Sequence, residues 1–141
     1  MTEPTHRVFV YGTLKRGFPN HRYLAGATFL GNAVMSDAYP LVVGGTWFTP
    51  YLIPEKGVGH RVMGEIWDVP EHMMPSLDRL ESVHLPNGYR RQIAPVIVEG
   101  SGEQTDAWVY FRERRHIPVI HTDALSDYQD RRYKAAEDRD I

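Results

Sequence analysis

Two features of the sequence have the residue types and spacing for chemistry. The first is Glu81, at the end of an apolar-patterned segment that opens at Pro70. On a helix advancing about 100° per residue from Leu77, Met73 falls at about −40°, Met74 at about +60°, Leu80 at about −60° and Glu81 at about +40°. Asp78 and Arg79 fall outside that stripe. A carboxyl on the apolar face, near the negative end of a helix dipole, has its charged form disfavoured and its pKa raised. A carboxyl tuned toward neutrality can take up and return a proton during a reaction. The competing expectations are that Glu81 reaches water or pairs with Arg90 or Arg91. The second feature is the stretch 12–20, which holds Gly12, Gly17, Pro19 and Asn20 directly after an apolar segment. A loop there can offer backbone amides to an anion. Together these residues define a candidate acid and an anion site, without yet defining a reaction.

Other constellations fail on their spacing. Gly12 and Gly17 have the frame of a phosphate-binding loop, but Phe18 and Pro19 stand where its lysine and hydroxyl would be. Gly57 and Gly59 are followed by Gly64, too late for a dinucleotide fingerprint, and a strand pattern follows instead of a helix. There is no GxSxG elbow. The 7 histidines form neither HxH nor HExxH, so the expectation is no metal. Cysteine is absent, which removes disulfides, thiolate metal sites and a thiol nucleophile, and fits a reducing compartment. The 16 basic residues against 18 acidic ones leave a net charge of −2, with no basic field for nucleic acid. No apolar run approaches a membrane span, and the first residues lack the apolar core of a secretory leader. A cytoplasmic protein without nucleic-acid or membrane partners is expected; its oligomeric state is left open.

The elements that must position Glu81 and the loop come next. The 141 residues contain no repeat or low-complexity stretch, so a single domain over 1–141 is expected. Residues 7–11 pattern as a strand stopped by Gly12, and 21–24 as a helical turn. Strands are expected over 28–35 and 39–43, separated by Ser36 and Asp37, and an extended segment over 47–53. Residues 61–69 alternate: Val62, Gly64, Ile66 and Asp68 share one face, and Met63, Glu65, Trp67 and Val69 the other. A helix then opens with Pro70 and Glu71 in its first turn. Strands over 91–99 and 105–111 flank Gly100-Ser101-Gly102, a hairpin signal. A charged terminal helix is expected over 125–136. Many short strands and one strong helix give an α+β fold on a mixed or antiparallel sheet, partly closed.

The run Val8-Phe9-Val10-Tyr11-Gly12-Thr13-Leu14-Lys15-Arg16-Gly17, followed by Pro19-Asn20-His21, resembles the opening of the γ-glutamylcyclotransferase-like family, and most of all its γ-glutamylamine cyclotransferase (AIG2-like) branch. Leu77-Asp78-Arg79-Leu80-Glu81 and Tyr89-Arg90-Arg91 resemble its second signature, and Tyr39-Pro40-Leu41-Val42 and Gly64-Glu65-Ile66-Trp67 its strand segments. The resemblance implies a small mixed β-barrel or sheet with flanking helices. It implies an enzyme that releases 5-oxoproline and a free amine from a small γ-glutamyl substrate, with no cofactor and no metal. Glu81 would be the catalytic proton shuttle, and Tyr11, Gly12, Thr13, Leu14 and Tyr89 would bind substrate. Lysine, another amine or an antibiotic amino group could be the leaving amine. The alternative is a non-catalytic module that binds γ-glutamyl or other small acidic ligands.

Overall fold

The computed structural model describes residues 3–139. Seven strands follow in chain order: β1 (Thr5–Val10), β2 (Thr28–Tyr39), β3 (Leu41–Gly44), β4 (Thr49–Leu52), β5 (His60–Pro70), β6 (Arg90–Val98) and β7 (Gln104–Phe111). A single α-helix, α1 (Met74–Leu80), follows β5 through a 3₁₀ turn, Glu71–Met73. Five strands close a barrel in the order β1-β5-β2-β6-β7, and β3 and β4 form a separate two-stranded sheet. The pairings are antiparallel except β1 with β7, which meet in parallel at Val8 and Trp108 and complete the closure.

Closure sorts the side chains of each strand onto two sides. Phe9, Val62, Ile66, Val96, Val109 and Phe111, drawn from four barrel strands, pack in one cluster with Met35 of the fifth. That cluster fills the barrel. Their sequence neighbours Val8, Val10, Trp67, Val69 and Tyr110 point outward and pack with Leu77 and Met74 of α1. The expected alternation of β5 is thus observed, with both faces in use. Only glycine fits at position 64, where a β-carbon would overlap the Val10 carbonyl and lie 2.7 Å from the Phe9 ring.

Three expectations are corrected. β2 runs unbroken through Ser36 and Asp37, which sit in a register shift between Val34 and Ala38; the break falls after Tyr39, at Pro40. Pro40 lacks the N–H a continuing ladder needs. The helix starts later than Pro70: Pro70 ends β5, and Pro75 occupies the early helical position of α1. Residues 125–136 form no α-helix; only Ala136 enters a 3₁₀ turn, Ala136–Asp138. They run as an extended strap whose backbone bonds reach far along the chain: Leu125 N–H to the Leu41 carbonyl at 2.7 Å, and Met63 N–H to the Ser126 carbonyl at 2.7 Å. Long-range partners override helix propensity here, a routine outcome for a weak local preference.

The strap is held by a buried lysine. Lys15, 5% exposed, donates to Asp127 Oδ1 at 2.9 Å and to the Tyr128 carbonyl at 2.7 Å. Tyr128 is fully buried and its hydroxyl donates to the Phe48 carbonyl at 2.8 Å, while Arg131 donates to the Gly17 carbonyl at 2.7 Å. An ammonium so far inside is tolerated because a carboxylate, a backbone carbonyl and the face of the Phe18 ring surround it. Lys15→Met is expected to lower the unfolding free energy by about 2 kcal/mol, the usual worth of hydrogen bonds to a charged group. The check is the urea midpoint at constant slope; an unmoved midpoint would show that the ammonium contributes nothing.

Candidate active site

Glu81 is placed by how α1 ends. Ser82 N–H bonds the Arg79 carbonyl at 3.1 Å, and Val83 N–H bonds the Asp78 carbonyl at 3.0 Å. These are the two bonds of a Schellman ending, with Glu81 as the cap and Ser82 in the left-handed region at φ 54°. Glu81 N–H bonds the Leu77 carbonyl at 3.0 Å, and its own carbonyl accepts the Tyr89 N–H at 3.1 Å. The loop 82–88 therefore leaves and returns at one residue. Gly88 sits so tightly on the Ser82 carbonyl that a β-carbon there would overlap it.

The expected apolar stripe is observed: Met74 and Leu77 are buried, and Met73 and Leu80 pack at the edge. Asp78 departs from the expectation that it points away. Its Oδ1 accepts the Tyr110 hydroxyl at 2.8 Å and its Oδ2 lies 3.5 Å from Arg91. Arg90 donates to the Val83, Leu85 and Pro86 carbonyls. Neither arginine pairs with Glu81, because both are engaged elsewhere.

The Glu81 side chain opens instead into a cavity of about 320 Å³. Its walls include Tyr11, Gly12, Thr13 and Leu14 from the loop after β1, Tyr89 just before β6, and Arg112 just past β7. All the candidate site residues expected from the sequence thus meet around one space, brought there from three parts of the chain, and Arg112 joins them from a fourth. Surrounding protein strips water from the Glu81 carboxyl and pushes it up to about 7; Arg112 opposes that shift and Asp78 adds to it. Burial likewise holds the Tyr11 and Tyr89 hydroxyls well above the usual phenol range. Both are committed to backbone: Tyr11 donates to the Tyr110 carbonyl at 2.6 Å and Tyr89 to the Pro50 carbonyl at 2.6 Å. They stand as fixed walls.

The loop is folded around its own bonds. Lys15 N–H reaches the Gly12 carbonyl, Asn20 N–H the Thr13 carbonyl, and Arg16 N–H the buried Glu65 carboxylate at 3.1 Å. The Thr13 and Leu14 amides have no hydrogen-bond acceptor among the described residues and border the cavity. Gly12 is needed for a packing reason: a β-carbon would come within 2.5 Å of the Pro50 ring, on the residue whose carbonyl receives Tyr89.

This arrangement can be set beside known proteins. Residues 8–134 match the family described as gamma-glutamyl cyclotransferase, AIG2-like. The chain belongs to that family. It is 39% identical to a gamma-glutamylaminecyclotransferase of Bos taurus, over 94% of this chain and 83% of the relative. It is 32% identical to a putative gamma-glutamylcyclotransferase of Methanocaldococcus jannaschii, over 86% of this chain and 97% of the relative. The crystal structure of an AIG2-like protein from Mus musculus superposes with a TM-score of 0.81 at 31% identity, covering 96% of this chain and 99% of that one. The barrel with one helix is the fold of this AIG2-like family.

Several residues around the AIG2-like cavity escape sequence reasoning. Arg112 follows β7 with no motif around it; its Nη2 donates to the His116 carbonyl at 3.1 Å and its Nε is buried without a partner among the described residues. Tyr133 and Arg139 reach the cavity only because the strap folds back across the barrel. Asn20 carries a signal, its place in the Pro-Asn-His run after the loop, but spacing does not tell which atoms it meets.

The raised Glu81 carboxyl makes stability depend on pH. Between its ordinary value of 4.5 and about 7 the folded protein holds a proton that the unfolded chain releases, so stability falls as pH rises through that window and stays lower above it. Glu81→Gln removes this dependence. The variant's unfolding free energy minus the wild type's is expected to grow from pH 4.5 to about 7 and then level off. Denaturant melts at a series of pH values measure it, and a constant difference would place the carboxyl at its ordinary pKa.

Proposed function

We propose that the chain is a γ-glutamyl cyclotransferase that converts a γ-glutamyl amine into 5-oxoproline and the free amine. The observation that carries this reading is the Glu81 carboxyl, raised to about 7 and opening into the same cavity as the unpaired Thr13 and Leu14 amides. The named activities of the relatives support the substrate class.

The residues divide the task as follows. The glutamyl α-carboxylate is held by the loop amides at Thr13 and Leu14, with Tyr11 and Tyr89 as rigid walls. The substrate is thereby folded so that its α-amine meets its own γ-carbonyl. Because attack is intramolecular, most of the catalytic gain comes from holding that geometry. Nitrogen adds to the γ-carbon, a five-membered ring closes, and the bond to the departing nitrogen breaks. The attacking nitrogen loses one proton and the leaving nitrogen gains one. Glu81, close to neutral pKa, carries it from one to the other. Arg112 adds positive charge to the cavity where the carbonyl oxygen becomes anionic. Only protons move, so no metal or nucleotide is required, and the cysteine-free composition suits a reducing cytoplasmic compartment.

The test is incubation with a panel of γ-glutamyl amines and γ-glutamyl amino acids, with 5-oxoproline as readout. Release is expected with the wild type, undiminished by exhaustive chelation. Glu81→Gln is expected to lower kcat by about 10²–10⁴ and leave affinity for 5-oxoproline nearly unchanged. Wild-type turnover in that variant would end the assignment of Glu81. Binding of 5-oxoproline without turnover of any panel member would make the chain a ligand-binding member of the family.

A further inference from the structure

The mechanism leaves one buried polar group unused. Asn20 is 2% exposed and borders the cavity between the loop and the strap. Its Nδ2 donates to Thr13 Oγ1 at 3.0 Å and to the Tyr133 hydroxyl oxygen at 2.9 Å, while its Oδ1 is buried without a partner. An amide NH₂ has two hydrogens, and here both are spent on hydroxyl oxygens. Turning the amide over would bury two unpaired donors in place of one unpaired acceptor, the costlier arrangement. The polarity of the pair is therefore set. Thr13 and Tyr133 each accept from Asn20, so each must point its own O–H elsewhere. Neither hydroxyl donates to another group among the described residues, and both residues line the cavity.

The placement of Tyr133 is not incidental. On one side Arg131 is tied to the Gly17 carbonyl at 2.7 Å. On the other Ala135 is fully buried, and Glu137 pairs with Arg22. The strap thus delivers one phenol to the edge of the loop whose amides are unpaired.

We infer that Asn20 is a positioning residue that forces the Thr13 and Tyr133 hydroxyls to act as donors into the cavity, making the C-terminal strap part of the site that receives a ligand carboxylate. This rests on the cyclotransferase reading for the identity of the ligand, whose γ-glutamyl unit carries a carboxylate and whose product keeps it. Two neutral O–H donors reinforce the loop amides without adding a charge that would compete with Glu81 for its proton. Tyr133 and Thr13 touch the ligand; Asn20 acts only through them.

Two probes of nearly the same shape separate this role from packing: 5-oxoproline, which has the carboxylate, and 2-pyrrolidinone, which lacks it. The wild type is expected to prefer 5-oxoproline strongly in calorimetric titration. Tyr133→Phe keeps the ring and loses one donor. Asn20→Asp keeps the shape and reverses the polarity, drawing both hydroxyl hydrogens away from the cavity. Each is expected to weaken 5-oxoproline binding and raise KM by about tenfold or more, as befits loss of a hydrogen bond to a charged group, and in Tyr133→Phe, which adds no charge, kcat and 2-pyrrolidinone binding are expected to hold. If Asn20→Asp does not fold, Tyr133→Phe decides by itself. Unchanged KM and 5-oxoproline affinity in Tyr133→Phe would overturn the inference, and so would equal losses for both probes. Absence of the carboxylate preference in the wild type would overturn it as well. If the wild type shows that preference and the variants lose it, yet no γ-glutamyl compound is turned over, the carboxylate site stands and the catalytic reading falls.

Discussion

The hydrogen bond from the Tyr89 N–H to the Glu81 carbonyl, 3.1 Å long, is the constraint around which the rest of the site is arranged. It joins the end of the only α-helix among the described residues to the first residues of a barrel strand. Because the Schellman bonds already fix the backbone at Ser82 and Val83, Glu81 has no freedom to swing out to solvent with its helix end. The left-handed backbone at Ser82 costs roughly 1 kcal/mol in a non-glycine residue, and the overlap that any β-carbon would create at Gly88 shows how tightly the loop is drawn. The backbone of Glu81 is thereby held where surrounding protein desolvates its carboxyl. Strain and desolvation of this kind are retained where surrounding structure over-determines a residue.

Around that point the fold uses the two sides of its strands differently. Inward residues of the barrel make a core that has no chemical role. Outward residues of β1 and β7 pack with Leu14 of the loop after β1 and with Met74 and Leu77 of α1, strap residues Leu125 and Tyr128 pack against the barrel cluster, and all three segments line the cavity. Catalytic groups on such irregular segments need rigid support. Lys15 gives it by bonding the loop to the strap through Asp127 and Tyr128, and Glu65 gives it from β5 by receiving the Arg16 amide and the Trp67 indole N–H. One buried charge therefore belongs to the loop and the other receives the loop's backbone. Each is fully engaged, which is the condition under which a buried charge does not unravel its surroundings.

Electrostatically the cavity combines one carboxyl near neutral pKa with nearby positive charge from Arg112 and a set of neutral donors. Arg112 pulls the Glu81 pKa down while burial and Asp78 push it up, and burial is the largest of the three effects.

The amino-acid order by itself determined what depends on neighbours a few residues apart. Alternation marked β5, and glycine pairs marked the hairpin between β6 and β7. The 3.6-residue period put Glu81 on the apolar face of α1, and the Tyr-Gly-Thr-Leu run marked the loop. The tertiary structure decided everything that joins distant segments. Residues 125–136 have a composition that suits a helix, but the carbonyl of Leu41 and the ammonium of Lys15 offer them better partners, and they are extended. Asp78 falls outside the apolar stripe, yet Tyr110 and Arg91 of the adjoining strands claim it. Arg112, Tyr133 and Asn20 meet Glu81's cavity across separations that no local pattern encodes. Local periodicity reports which face of an element is apolar; which polar groups converge on that face depends on the closure of the barrel and the return of the strap, and these are set by the sum of many long-range contacts.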